Sequence, residues 1–161
     1  MSSRRLGAAL LAAASLVLAA PAAAETLVAP LLGGGAFDLA ARRGRVVLVN
    51  YWATWCEPCR AEIPALNAFY RRRHGQGLDI VGLSADVGRD RAAVEKMARS
   101  IAYPVGMLRE ASSNSFGAAR ALPITFVVDR SGSIRATLRP DETPVTENTL
   151  ESVVGPLLKE R

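Results

Sequence analysis

Cysteine and histidine are scarce in this sequence of 161 residues, which has two cysteines, Cys56 and Cys59, and a single histidine, His74. A small exported domain that is stabilised by disulfides needs several of them. This chain can form only one within itself, so it does not belong to that class. A closed zinc site needs four ligands, so structural zinc is not expected. The two cysteines are separated by two residues, and their bridge would be the small, exposed kind that serves redox chemistry.

The chain also lacks the length for a second domain and the charge density of a nucleic-acid-binding protein. Its formal net charge of +5 falls to +3 if Arg4 and Arg5 are removed with a leader. The densest basic cluster, 71–73, closes a predicted helix, where cations complement the negative end of the helix dipole. No coiled-coil pattern or large apolar surface stretch calls for a partner subunit. We therefore expect one domain, a monomer that binds no nucleic acid.

Residues 1–24 have the layout of a secretory signal peptide. Arg4 and Arg5 precede an apolar run from Leu6 to Ala20, and small residues end the segment at Ala24. The apolar run is short for a membrane span, which needs about 20 residues. An uncleaved membrane anchor is the alternative. We expect cleavage near Ala24 and export to an oxidising compartment, the periplasm.

The cysteines lie where a predicted strand passes into a predicted helix. Residues 46–51 are β-branched and aromatic and apolar on both faces, as buried parallel strands are. Residues 61–73 have a helical pattern. Because the first turn of a helix has unpaired N–H groups and the positive end of the dipole, this position favours a thiolate at Cys56. Cys59, one turn later, is within reach to close a small disulfide, and Pro58 suits an opening turn.

The remaining pattern predicts an alternation of strands and helices. Residues 25–36 contain Pro30 and three consecutive glycines and are expected to be a flexible lead-in. Strand, helix and strand over 46–84 form a βαβ unit with parallel strands and a right-handed crossover. The other predicted elements are a short edge strand at 37–39, helices at 90–101, 112–120 and 146–159, and strands at 105–108, 124–128 and 133–138.

Two motifs, in this order, resemble the thioredoxin superfamily. The first is Trp55-Cys-Glu-Pro-Cys59, with Pro64 five residues further on, and the second is Leu122-Pro-Ile-Thr-Phe-Val-Val-Asp129. Within the superfamily, the chain is most similar over 37–138 to the exported TlpA/ResA-like reductases, which include the cytochrome c maturation thioredoxins. The features that carry this likeness are Phe37-Asp-Leu39 with Gly44, the run Trp-Ala-Thr-Trp-Cys-Glu-Pro-Cys, Glu62, and the long segment between Asp86 and Pro123.

The resemblance implies an α/β thioredoxin-like domain over 37–161. Its central mixed sheet would be flanked by helices, with an extra helix and strand before the loop that contains Pro123. The resemblance also implies a cis peptide bond at Pro123, beside the cysteine pair. An ordinary trans proline at the start of a strand is the alternative.

The resemblance and the residues together suggest a role for each site residue. Cys56, at the exposed tip of the helix, is the expected nucleophile, and Cys59, further inside, resolves the mixed disulfide. Glu62, one turn after Cys59, would exchange a proton with it, although spacing alone favours a solvated glutamate. Asn50 departs from thioredoxin, which has a buried aspartate at this position. The expected client-contacting residues are Trp55, Glu57, Pro58, Leu122 and Pro123.

The predicted activity is that of a thiol-disulfide oxidoreductase without a cofactor or metal. The resemblance implies that it acts as a reductase, fed by a membrane thiol-transfer protein. The implied clients are proteins with cysteine pairs, such as apocytochrome c or copper-centre assembly proteins. Two alternatives stay open. One is a copper chaperone that uses Cys56 and Cys59 as soft ligands, which would need a third ligand that neither His74 nor Met97 and Met107 is obviously placed to supply. The other is a general thiol oxidase.

Overall fold

A computed structural model describes residues 24–160. The signal peptide predicted over 1–24 therefore lies outside the described residues, apart from Ala24. The strands are β1 (Leu27–Pro30), β2 (Ala36–Asp38), β3 (Val46–Trp52), β4 (Leu78–Ser84), β5 (Val105–Met107), β6 (Ser113–Asn114), β7 (Ile124–Val128) and β8 (Ile134–Leu138). The helices are α1 (Glu57–Arg73), α2 (Arg91–Ala98) and α3 (Glu147–Lys159). Within 24–160, no helix has the length and apolar character needed to cross a bilayer.

The predicted mixed central sheet is confirmed. Its order is β5-β4-β3-β7-β8, with β3 parallel to β4, β4 parallel to β5, and β7 and β8 added antiparallel. All seven residues of β3 are buried. This burial explains why that segment is apolar on both faces, since a central strand is covered from above and below.

The three helices contribute side chains to the same core cluster on one face of the sheet. The connections β3-α1-β4 and β4-α2-β5 step across the sheet in the same direction. Because such crossovers are right-handed, both helices must lie on the same face. Helix α3 packs beside α1 on this face and begins at an N-cap, Thr146, whose hydroxyl accepts a hydrogen bond from the Thr149 N–H.

A second, antiparallel sheet of order β2-β1-β6 supplies side chains to the core cluster on the other face. Strand β1 buries Leu27 and Ala29, so the prediction of a flexible lead-in over 25–36 was wrong for this segment. The glycines that suggested a loose segment form the turn between β1 and β2, where Gly34 and Gly35 have positive φ. The edge strand predicted at 37–39 is β2, at the edge of this sheet.

The helix predicted over 112–120 is absent from the structure. Ser113 and Asn114 instead form β6 and pair with β1, and turns lead from there to Pro123. The Asn114 side chain accepts hydrogen bonds from the Phe116 N–H and the Tyr51 hydroxyl. Short polar side chains that bond the nearby backbone compete with helix formation, which explains the difference. The predicted extra helix and strand before Pro123 are α2 and β5.

Candidate active site

Cys56 and Cys59 form a disulfide at the N-terminus of α1, with their Cα atoms 5.3 Å apart. Cys56 is the N-cap residue, and its sulfur accepts a hydrogen bond of 3.3 Å from the Cys59 N–H. The sulfur therefore occupies the place that an N-cap oxygen usually takes, facing the unpaired N–H groups of the first turn. This geometry confirms the predicted strand-to-helix position of the pair.

The two cysteines differ little in exposure. Cys56 is 5% exposed and Cys59 2%, so the prediction that Cys56 lies at an exposed helix tip was wrong for the disulfide form. The neighbouring Trp55 is 67% exposed, and Glu57 and Pro58, which open α1, are exposed as well. A partner protein would therefore meet these three side chains around a largely covered disulfide.

The peptide bond between Leu122 and Pro123 is cis, as predicted. Strand β7 begins directly after it and pairs with β3 in a register that sets Ile124 against Tyr51. This register brings the proline loop to the end of the sheet at which β3 passes into the Cys56 loop. Pro123 is buried and Leu122 half-buried.

A side-chain hydrogen bond between Asn50 of β3 and Thr125 of β7 links the two strands beneath this loop. The Asn50 amide donates a hydrogen bond of 2.9 Å to the Thr125 hydroxyl, and both side chains are buried. In thioredoxin the position of Asn50 holds a titratable aspartate, whereas here a neutral pair satisfies the polar groups. Any buried base near the disulfide must therefore come from another residue.

Glu62 is such a residue. It is only 7% exposed, and one of its carboxylate oxygens accepts a hydrogen bond of 3.4 Å from the Val145 N–H. The other oxygen, Oε2, has no hydrogen-bond partner within 24–160. Burial raises the pKa of Glu62 to about 7, against the smaller opposing effect of the Val145 hydrogen bond. A solvated glutamate would be exposed, so the burial of the Glu62 side chain argues against that alternative.

A hydrogen-bond network around Asp86, which the sequence did not reveal, fixes the loop before the disulfide. The buried Asp86 carboxylate accepts bonds from the Thr54 N–H at 2.8 Å, the Thr54 hydroxyl at 2.6 Å and the Ser84 hydroxyl at 2.6 Å. The Arg60 guanidinium donates to the Thr54 carbonyl oxygen at 2.7 Å. Thr54 lies two residues before Cys56. These hydrogen bonds fix its N–H, its hydroxyl and its carbonyl group, and so they fix the backbone just before the cysteine pair.

The Asp86→Ala variant is expected to lose about 3 kcal/mol of unfolding free energy, because the buried Ser84 hydroxyl and the half-buried Thr54 N–H and hydroxyl lose their acceptor. Urea denaturation of the oxidised protein measures this loss. Asp90→Ala is the matched control, since Asp90 caps no helix N–H with its side chain. Equal stabilities of the Asp86→Ala variant and the parent protein would show that the network contributes nothing.

The candidate copper ligands are dispersed. His74 follows the last residue of the 17-residue helix α1 and so lies at the opposite end from the disulfide. Met107 is buried in the core cluster on the helix-covered face, and Met97 packs against the same cluster. Within the part of the chain that the structure describes, no group of three or more His, Cys, Asp or Glu side chains could hold a metal ion.

The fold and the site together define a class of protein. A mixed sheet carries a Cys-x-x-Cys disulfide at a helix N-terminus, with a cis-proline loop at the same end of the sheet. These are the parts of a thioredoxin-like thiol-disulfide oxidoreductase.

Comparisons with known proteins support this class and identify the family. The model of the AhpC/TSA family matches residues 20–137, and the chain belongs to this family. Thiol-disulfide oxidoreductase ResA of Geobacillus kaustophilus is 32% identical over 125 residues, which span 76% of this chain and 71% of that protein. ResA of Bacillus anthracis is 28% identical over 138 residues, covering 84% and 75% of the two chains.

Solved structures extend the likeness to the fold. A thiol:disulfide interchange protein of the thioredoxin family from Chlorobium tepidum TLS superposes with a TM-score of 0.70 at 26% identity, covering 88% of this chain and 99% of that one. A secreted thiol-disulfide isomerase from Corynebacterium glutamicum superposes with a TM-score of 0.68 at 25% identity, covering 85% and 86%. The protein is thus a thiol-disulfide oxidoreductase of the TlpA/ResA type.

Proposed function

We propose that this protein is an exported reductase that transfers two electrons to disulfides of partner proteins through Cys56 and Cys59. The observation that carries the proposal is the Cys56–Cys59 disulfide at the N-terminus of α1, at the same end of the sheet as the Pro123 loop. The family relationship supports the same chemistry. Export rests on the sequence of residues 1–24.

The reaction begins from the reduced protein. The Cys56 thiolate attacks one sulfur of the client disulfide, a bond forms between these sulfurs, and the client's other sulfur leaves as a thiolate. Cys59 then loses its proton and attacks the Cys56 sulfur. The bond between Cys56 and Cys59 forms, the mixed disulfide breaks, and the client's second sulfur leaves as a thiolate. The client gains two electrons and this protein is left as the disulfide.

Glu62 accepts the proton that Cys59 loses in the second step. Its position one turn after Cys59 supports this role, as does its burial. A pKa of about 7 suits a group that must both take up and release a proton near neutral pH. The same carboxyl group returns the proton when the disulfide is reduced again.

The client binds over the exposed surface around the disulfide. Trp55 offers the largest apolar area there, and Glu57 and Pro58 border it. On the other side, the backbone beside Pro123 can pair with an extended client segment, with Leu122 as a side-chain contact. Clients with a cysteine pair fit this arrangement, including apocytochrome c and copper-centre assembly proteins.

The direction of electron flow distinguishes this proposal from a general thiol oxidase. A strong oxidant stabilises its reduced thiolate strongly. Among the described residues, the Cys56 sulfur accepts a single hydrogen bond, from the Cys59 N–H, which supports a moderate stabilisation of its thiolate and a reducing role. A reductant in an oxidising compartment needs a donor of two electrons, and a membrane thiol-transfer protein is the class that supplies them. The copper alternative has no third ligand in the dispersed positions of His74, Met97 and Met107.

The equilibrium potential of the Cys56–Cys59 couple tests the proposed direction. The protein is equilibrated with dithiothreitol or glutathione mixtures, its free thiols are alkylated, and the oxidised fraction is measured by mass spectrometry. A potential near or below about −270 mV, that of thioredoxin, is expected. A value near −120 mV, that of a strong oxidant, would assign the protein to the oxidases instead.

A further inference from the structure

Three buried polar atoms on the helix-covered side of the sheet have no hydrogen-bond partner within 24–160. They are the indole Nε1 of Trp52, the hydroxyl of Tyr103 and the Oε2 of Glu62. Trp52 is fully buried and Tyr103 is 4% exposed. Two of these atoms can donate, and the third is an acceptor. Leaving all three unpaired would destabilise the fold, so buried groups of this kind are normally matched to one another or to a bound water.

Their placement makes such matching possible. Trp52 and Tyr103 meet over Gly82 of β4, where an added Cβ would lie 3.1 Å from Trp52 Nε1 and 3.0 Å from Tyr103 Cε2. Gly82 is therefore the residue whose lack of a side chain lets the two rings approach. A larger residue there would separate them.

The Tyr103 ring also packs on α1, with its centroid 6.1 Å from that of Tyr70. Glu62 lies two turns before Tyr70 on the same helix, and residues eight apart share a face. The Asn67 side chain anchors the segment before Tyr103 to this face: it donates to the Ser100 carbonyl at 2.8 Å and accepts from the Ala102 N–H at 2.6 Å.

We propose that the Tyr103 hydroxyl, together with Trp52 Nε1, is the polar partner of the Glu62 carboxylate and sets the pH at which Glu62 exchanges a proton with Cys59. Tyr103 is then a positioning residue, and this role rests on the function proposed for Glu62. The hydroxyl donates to Oε2 through one bound water, since the two atoms make no direct hydrogen bond. Burial, and to a smaller degree the Glu62 charge, raises the pKa of Tyr103, so its hydroxyl keeps its proton and remains a donor.

The titratable groups around Glu62 are few. Cys59 precedes it on α1, Tyr103 faces it from the segment after α2, and the segment before α3 contributes only the Val145 N–H. Within 24–160, Glu62 forms no salt bridge with a lysine, an arginine or a histidine. A hydrogen-bond donor to the charged Glu62 carboxylate is therefore expected to have a large effect on the pKa of Glu62.

The Tyr103→Phe variant tests this inference, because it removes one oxygen atom and keeps the ring. The readout is the carboxyl carbon shift of Glu62, followed by NMR against pH in the oxidised protein and assigned with a Glu62→Gln sample. The substitution is expected to raise the pKa of Glu62 by about 1, since a hydrogen bond to a carboxylate favours its charged form. Tyr70→Phe is the matched control on the neighbouring ring and is expected to leave the Glu62 titration unchanged.

A Glu62 titration that is the same in Tyr103→Phe and the parent protein would overturn the inference. The pH profile of disulfide exchange with a model peptide gives a second readout, and its midpoint should move upward with the Glu62 pKa. The two readouts separate the contact from the function on which it rests. A shift of the Glu62 pKa without any change in the exchange profile would support the contact between Tyr103 and Glu62 and contradict the proton-transfer role of Glu62.

Discussion

The Cys59→Ser variant is expected to accumulate as a covalent mixed disulfide with its client through Cys56. Without the second thiol, the intermediate has no internal nucleophile to break it, and a serine hydroxyl does not attack disulfides under these conditions. Turnover should fall by roughly a thousandfold or more while the first step still proceeds. The adduct is measured on a non-reducing gel and by mass spectrometry, with an oxidised Cys-x-x-Cys peptide as the client.

The Cys56→Ser variant is the matched control and is expected to form no adduct. Cys59, 2% exposed, sits behind Cys56 in the first turn of α1. The experiment is informative because Cys56 is itself only 5% exposed, so accessibility in the disulfide form does not decide the order of attack. Adduct formation through Cys59 alone would reverse the assigned roles.

The elements that were predicted correctly are those whose sequence pattern is local. Strand β4 occupies the predicted residues 78–84, and α1 has a helical pattern bounded by cysteines at one end and by arginines at the other. Strand β1 was missed because it is four residues long and pairs with Ser113 and Asn114, more than eighty residues away. Its stability comes from that pairing and from burial of Leu27, neither of which a local pattern contains.

The site residues also fall into those that a local motif predicts and those whose surroundings come from distant parts of the chain. The cysteine pair and the cis proline were predicted from motifs, whereas the burial of Glu62 depends on Val145 from the far end of the chain. One feature of the sequence could have indicated the role of Asp86, which follows the end of β4 by two residues. Because β3 and β4 are parallel, their carboxyl ends lie at the same edge of the sheet, and the cysteine loop follows β3 at that edge. No such feature indicated Tyr103, since its surroundings form only when β4, α1 and the segment after α2 pack together.

The Glu62→Gln variant is expected to gain stability at alkaline pH and to lose activity. Burial raises the pKa of Glu62 from 4.5 to about 7, so the folded state binds the proton more tightly than the unfolded state. Below pH 4.5 both states are protonated and the carboxyl has no pH-dependent effect. Stability then falls as the pH rises from about 4.5 to 7, and above 7 the full cost is about 3 kcal/mol.

Glutamine removes this cost, because it carries no charge and can still accept from the Val145 N–H. Urea denaturation of both oxidised proteins at pH 5 and pH 8 measures the difference, which should grow by up to about 3 kcal/mol in favour of the variant. Glu57→Gln, an exposed change in the first turn of α1, is the control and should show no such trend. A constant difference between the two pH values would mean that Glu62 ionises as freely in the fold as in water.

The Glu62→Gln variant is also expected to resolve the mixed disulfide more slowly than the parent protein. If Glu62 takes the proton of Cys59, resolution of the mixed disulfide should accelerate as the pH rises through about 7, and Glu62→Gln should lose that step and slow resolution by about a hundredfold at pH 8. A variant that is more stable and equally fast would remove the proton-transfer role. A variant that is more stable but slower would identify Glu62 as a group that destabilises the fold because the reaction needs an ionisable carboxyl beside the buried sulfur.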